Sequence, residues 1–364
     1  MDELAKARKE IERIDREMLK LFEERMECSR IIADFKKTNA VSIRDPEREK
    51  KLVAKNRELV ENREIEGYYI DFLRKIIDIS CAYQSKLIDG IKIGYSGVEG
   101  AFSYIAAKKL FPEGELMAYN DFNEAYRAVE KGETDCVVLP IENSFAGDVG
   151  TVMDLMFSGS LYINHVISVD VVQNLLAVPG ATLDSVKTVL SHPQALDQCG
   201  KYIEEHGFKT MAYSNTALAA KYVKEMNDPS IAAIASDETA SIFGLNILEK
   251  SINTSSNNTT RFAVFSRSQN KPFATGEKRD NERFILVYTV RNEAGALAQT
   301  LDIIGAHGYN MICLSSRPMK DLMWTYYFYL EAEGDINSEN GRDMMRELSV
   351  LCAKLKLVGS YLDN

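Results

Sequence analysis

EMLKLFEERMECSRIIADFKK, residues 17–37, is the stretch on which the reading of the fold turns. Traced back to the start of the chain, its apolar or small residues fall at Leu4, Ala7, Ile11, Ile14, Met18, Leu21, Cys28 and Ile32. Steps of three and four predict one long amphipathic helix over about 2–37. The seam position absent from that series is residue 25, and it is an arginine. A guanidinium in a buried stripe needs an anion, because desolvating it unpaired costs several kcal/mol.

The segment around this helix is uniform. Residues 1–88 hold one glycine (Gly67), one proline (Pro46), and 20 Lys/Arg against 19 Asp/Glu. Asp45 and Pro46 predict the cap and first position of a second helix. EGYYIDFLRKIIDISCAYQSKLI predicts a third. The first helix would be about 50 Å long at 1.5 Å per residue, too long to close a core with the other two. An intertwined dimer is expected.

The whole chain, 364 residues with net charge −10, is expected to form two or three domains and to avoid nucleic acid and anionic membranes. No apolar run approaches the roughly 20 residues of a membrane span. The start is charged from its second residue, and the six cysteines are scattered without a CxxC pair. A cytoplasmic protein with free thiols and no metal is expected.

Beyond residue 91 short β runs alternate with helices: strands at IKIGYS, CVVLPI, HVISVDVVQNLLAV, TVLS, AAIAS and RFAVF, and helices at FSYIAAKKL, NEAYRAVEK, QALDQCGKYIEEH, TALAAKYVKEM and ASIFG. This pattern predicts an α/β domain of two lobes over 91–267. Residues 268–281 are polar and turn-rich, and predict a linker. Residues 282–364 read βαββαβ, an α+β ferredoxin-like sandwich.

For Arg25 the simplest partner is a glutamate on another helix. However, Arg8, Lys36 and Arg48 add cations to the same helices, and Ser80 and Gln84 interrupt the Leu73–Ile77–Leu87 face of the third. So many donors suit a pocket for a small dianion. With Asp45 and Glu49 these residues make residues 4–87 similar to the all-helical chorismate mutase family. The resemblance implies that Arg25 and Arg48 hold one carboxylate and the side chain of chorismate, and that Arg8 from a second subunit holds the other carboxylate. Lys36 and Gln84 would donate to the ether oxygen, with Glu49 and Ser80 around the hydroxyl. A pericyclic rearrangement needs this kind of site: a held conformer and donors at the oxygen that gains charge.

In 91–267 polar clusters sit at strand-to-helix junctions, where helix N-termini offer N–H groups to anions. ENSFAG carries Glu142, Asn143 and Ser144. SHPQAL carries Ser191 and His192, with Gln198 following; SNTALAA carries Asn215 and Thr216; NTTRF carries Thr260 and Arg261. In this order they resemble prephenate dehydratase, implying a periplasmic-binding-protein-like cleft lined by the named polar residues. The resemblance implies that Thr260 assists loss of the ring hydroxyl and that Arg261 is a charge partner for substrate or cleft. His192 is the rival proton donor, and the sequence leaves the two open.

The C-terminal segment resembles the ACT regulatory domain at Gly295, Ala296, Leu297, Asn310, Ser316, Arg317 and Pro318, which implies a phenylalanine site between paired domains. Ser315 stands where that family usually has glutamate. The run from Trp324 to Tyr329 is expected to alternate between core and interface.

The joint expectation is a bifunctional isomerase and lyase of phenylalanine biosynthesis in the shikimate pathway. It takes chorismate to prephenate and prephenate to phenylpyruvate with no metal or organic cofactor, as a homodimer or homotetramer inhibited by L-phenylalanine. The alternatives are an arogenate-preferring dehydratase and a non-catalytic ligand sensor with a dimerising helical segment.

Overall fold

In the computed structural model, which describes residues 2–39, 45–254, 257–269, 281–319 and 325–363, the periodic seam becomes a single 38-residue helix, α1 (Asp2–Asn39). Residues 40–44 of the expected connection, 270–280 of the expected linker, and Trp324 lie outside the described residues.

Two more helices complete the first compact unit, Met1–Lys92: α2 (Pro46–Glu58) and α3 (Glu66–Asp89). The Asp45 side chain accepts from the Arg48 amide at 3.0 Å and Pro46 opens the helix, so this start is set by local chemistry. α3 packs on α1 and α2 through Ile70, Leu73 and Ile77. The N-terminal half of the α1 seam finds no cover among the described residues of its own unit: Leu4, Ile11, Ile14, Met18 and Leu21 are 41–65% exposed.

The second compact unit, Ile93–Asn364, is built on two sheets. Its strands are β1 (Lys92–Ser96), β2 (Glu115–Tyr119), β3 (Cys136–Asn143), β4 (Gly147–Asp148), β5 (Tyr162–Asp170), β6 (Asn174–Ala177), β7 (Thr188–Ser191), β8 (Lys209–Ala212), β9 (Ile231–Ala235) and β10 (Asn246–Glu249). They continue with β11 (Thr259–Ser266), β12 (Glu282–Val290), β13 (Asn310–Pro318), β14 (Tyr326–Glu333) and β15 (Cys352–Leu362). One sheet has the order β13–β14–β12–β15–β5–β11–β3–β1–β2, with β4 paired to β3; the other runs β10–β6–β9–β7–β8.

The chain crosses between the sheets twice, after β5 and before β11, which makes two lobes. The run 165–178, read from sequence as one strand, is broken by the first crossing into β5 and β6. The apolar pattern continues through the break, but the backbone leaves the ladder. Val171 N bonds Asn258 O at 2.7 Å, and Gln173 N bonds the Asn253 side chain at 2.8 Å, so the two crossing segments satisfy each other.

The C-terminal βαββαβ adds helices Ala296–Ala306 and Glu339–Leu351 over strands β12–β15. It extends the first lobe's sheet: β15 runs parallel to β5 at Gly359 and Ile163. A Cβ on Gly359 would lie 2.0 Å from the Ile163 carbonyl oxygen, so only glycine fits this junction.

Candidate active sites

The first site lies among the three helices. Arg25 Nε donates to Ser80 Oγ at 3.1 Å and Lys36 Nζ to Gln84 Oε1 at 3.1 Å, two rungs between α1 and α3 that lie about three turns apart on α1 and about one turn apart on α3. Arg25 thus meets a neutral hydroxyl rather than the glutamate that a structural ion pair would supply. Asp45, Arg48 and Glu49, at the start of α2, close the other side of a cavity of about 250 Å³. Seven of the eight residues expected here line that cavity; Arg8 does not. It is exposed on α1, 17 residues or roughly 25 Å from Arg25 along the helix axis. Cys28, already placed in the seam by its spacing, also lines the cavity, as do Ser29 and Cys81, which the apolar seam does not mark. Ser29 lies one turn beyond Arg25 on the same face, so helical spacing alone could have found it.

The second site is a cavity of about 380 Å³ between the lobes of the second unit. Thr260 projects into it from β11 and Asn143 from β3, a directly opposed cross-strand pair. Asn143 Nδ2 donates to Thr260 Oγ1 at 2.9 Å, and its Oδ1 accepts the amides of Phe145 and Ala146, which fixes the amide's orientation. From the other lobe come His192, Gln198, Asn215 and Thr216. His192 caps helix Pro193–Gln198, its Nδ1 accepting from Gln194 N at 3.3 Å. Asn215 caps Thr216–Met226 in the same way, accepting from Leu218 N at 2.7 Å. Helix Phe102–Leu110 also starts at the cavity wall, with buried Ser103 beside it. Among the described lining residues there is no lysine or arginine.

Four residues expected at this cleft lie elsewhere. Arg261 follows Thr260 on a strand, so its side chain leaves by the opposite face, where it meets Glu142 at 3.1 Å and Glu331 at 2.7 Å. Glu142 is displaced from the cleft by the same alternation. Ser191 is fully buried behind it, donating to Ile234 O at 2.6 Å. Ser144 is exposed at the turn after β3, bonded to Asn257 O at 2.9 Å. Conversely, Gln173 lines the cavity unforeseen. It is only 2% exposed, and its Oε1 has no hydrogen-bond partner among the described residues. A lone glutamine inside the apolar run VVQNLLAV was the available signal.

These two cavities coincide with two family matches. The chorismate mutase type II model matches residues 7–85, which contain every residue around the first cavity, and the prephenate dehydratase model matches 93–270, which contain every residue around the second. The bifunctional chorismate mutase/prephenate dehydratase of Buchnera aphidicola subsp. Acyrthosiphon pisum (strain APS) is 31% identical over 97% of this chain and 95% of its own length. The chain belongs to the bifunctional chorismate mutase/prephenate dehydratase family.

The enzyme of the same description from Aquifex aeolicus (strain VF5) is 30% identical over 99% of this chain and 98% of its own. Among solved structures, a prephenate dehydratase from Arthrobacter aurescens in complex with L-Phe superposes with a TM-score of 0.69, at 27% identity, over 75% of this chain and 90% of that one. The family's α/β dehydratase fold is therefore the fold of the second unit's two lobes.

Within this family member the C-terminal residues of interest sit at the start of one helix and on an edge strand. Gly295, at φ +83°, precedes helix Ala296–Ala306, where Ala296 and Leu297 are half-buried. On β13, Asn310 donates to Glu333 at 2.9 Å, Ser315 is paired with Tyr329, and Ser316 is exposed. Arg317 reaches Asp154 of helix Gly150–Ser158 at 3.4 Å, and Tyr327 donates to the same carboxylate at 2.8 Å. Among the described residues no helix is long and apolar enough to cross a membrane.

Proposed function

We propose that each cavity houses one of the two activities in the family's description. The helical unit, residues 1–88, rearranges chorismate to prephenate; the two-lobed part, residues 91–267, converts prephenate to phenylpyruvate, carbon dioxide and water.

In the helical cavity Arg25 and Arg48 hold the substrate's carboxylate and side chain in the reactive conformer. Lys36 and Gln84 donate to the ether oxygen as its bond to carbon breaks, and Glu49 and Ser80 bracket the hydroxyl. No proton is transferred, so fixed donors aimed at one oxygen suffice. The observation that carries this reading is the convergence of seven polar side chains from three helices on one small cavity. Arg8 completes the site from a second copy, whose α1 covers the exposed seam. A dimer, or a tetramer built from two, is the assembly this implies.

In the cleft Thr260 is the proton donor. Its oxygen already accepts from Asn143, so its hydrogen is left to point at the departing ring hydroxyl. Loss of carbon dioxide pushes electrons through the ring and expels that oxygen, and aromatisation drives the step. A hydroxyl is a weak acid, so its proton moves only as the C–O bond breaks and the departing oxygen becomes basic; the oxygen leaves as water and the threonine regains a proton from solvent. The substrate carboxylates are met by the starts of helices Phe102–Leu110 and Thr216–Met226, which suits a cleft whose described lining residues include no lysine or arginine. His192 accepts from Gln194 through Nδ1, which leaves its proton on Nε2; it is the rival donor, and Thr260 is preferred on the family resemblance of NTTRF.

Residues 268–281 link this part to an ACT domain at 282–364, which pairs with that of a second copy and binds L-phenylalanine as a feedback inhibitor. The protein works in the cytoplasm. The separating experiment assays both reactions in Arg25→Ala and Thr260→Ala. The first should lose only the mutase and the second only the dehydratase; a joint loss in either variant contradicts the assignment.

A further inference from the structure

Thr260 and Arg261 are neighbours on β11, yet they serve opposite faces of the ten-stranded sheet. Thr260 pairs across the strands with Asn143 in the cleft, and Arg261 pairs with Glu142 behind it; the register shifts immediately afterwards, between Arg261 and Phe262. The backbone of β11 is held by its ladder to β5, in register over residues 259–264, but beside a bulge the aim of a side chain needs something further to hold it.

What holds it comes from the C-terminal βαββαβ. Arg261 forks on to Glu331 of β14, with Nη1 2.9 Å from Oε2 and Nη2 2.7 Å from Oε1. Its Nη2 also donates to the Tyr361 hydroxyl at 2.7 Å. Glu331 is fully buried and accepts further hydrogen bonds from Tyr361 and, at 3.2 Å, from Tyr329. Arg283 stands 3.5 Å away. Burial would raise the Glu331 carboxyl, yet Arg261 and Tyr361 bring it below the ordinary carboxylate value, so the pair is ionised.

A buried ion pair is a poor device for mere adhesion, because an apolar pair of the same volume holds two segments as well at less desolvation cost. A bidentate fork does add directional constraint. We propose that Arg261 and Glu331 are positioning residues of the dehydratase, through which the C-terminal βαββαβ fixes the orientation of Thr260. This inference rests on the assignment of Thr260 as proton donor. Under it, any displacement of β14 relative to β11 reaches the cleft through one guanidinium.

The test compares Glu331→Gln and Arg261→Lys in the full-length protein, both assayed on prephenate and on chorismate, with melting curves. Glu331→Gln keeps the shape and removes the charge; Arg261→Lys keeps the charge and removes the fork. The expected result is a fall in dehydratase kcat of about 10–100-fold with KM changed less than about 3-fold and mutase activity unaltered. A folded variant of either kind with dehydratase kcat within about 2-fold of the parent overturns the inference, and Arg261→Lys decides if Glu331→Gln does not fold. Thr260→Ala serves as the reference. If it retains activity, the assignment of Thr260 fails; if it is inactive while Arg261→Lys is normal, only the positioning role fails. Where the role is real, adding Glu331→Gln to Thr260→Ala changes the residual rate less than about 2-fold; a further fall as large as in the parent contradicts it.

Discussion

Asn143 Nδ2 donates to Thr260 Oγ1 across 2.9 Å, joining β3 to β11 at the floor of the cleft. The direction of this bond matters more than its existence. An amide donor leaves the threonine hydrogen for the substrate, whereas a carboxylate at the same place would take it. Asn143→Asp should therefore reduce dehydratase kcat about as much as Thr260→Ala, on the order of 10²-fold or more. Steady-state assays on prephenate check this, with the mutase as a control for folding. An active Asn143→Asp would reverse the donor assignment.

Under the proposed assignment Lys36 and Arg25 serve a reaction without proton transfer, so charge and reach should both matter. Lys36→Met is expected to lower mutase kcat by about 10²–10³-fold while prephenate turnover is unchanged. Chorismate disappearance followed spectroscopically reads the loss.

How much of this was visible beforehand follows from what each pattern reports. Helical spacing shows which residues share a face, so Arg25, Lys36, Ser80 and Gln84 were found together, and they do line one cavity. Strand spacing separates what contiguity joins: Thr260 and Arg261 are neighbours in NTTRF, but alternate residues face opposite ways, and Arg261 with Glu142 lies behind the sheet. Helix Gly150–Ser158 was missed because GTVMDLMFS is apolar on most sides and gives no amphipathic signal. The crossing at 171–173 was invisible for a related reason. Its apolar residues resume on both sides of Gln173 and Asn174 while the backbone changes partners.

The ionised Glu331 predicts a pH dependence of stability. Its carboxyl lies below the ordinary value of 4.5 in the folded protein, so the ionised pair contributes stability that is fully present above that value. The contribution is lost as pH falls through the lower folded-state value. The parent should melt well above Glu331→Gln at about pH 6, and the gap should narrow as pH falls towards about pH 3. A gap independent of pH would mean that charge is not what Glu331 contributes.

The exposed seam of α1 predicts that assembly and mutase activity fail together. Ile14→Asp places a charge in that stripe, in the unit that does not contain the cleft. Sedimentation should show the helical contact broken, with mutase activity reduced by about 10²-fold or more because Arg8 of the second copy is lost. Dehydratase turnover should remain. A variant with unchanged assembly and full mutase activity would remove the role given to Arg8.

The most direct test of the whole account supplies the purified protein with chorismate alone and follows prephenate and phenylpyruvate with time. The account predicts that prephenate appears first and phenylpyruvate then accumulates to match the chorismate consumed. Prephenate that accumulates without ever yielding phenylpyruvate would contradict it, leaving the helical site as an enzyme and the cleft as something else.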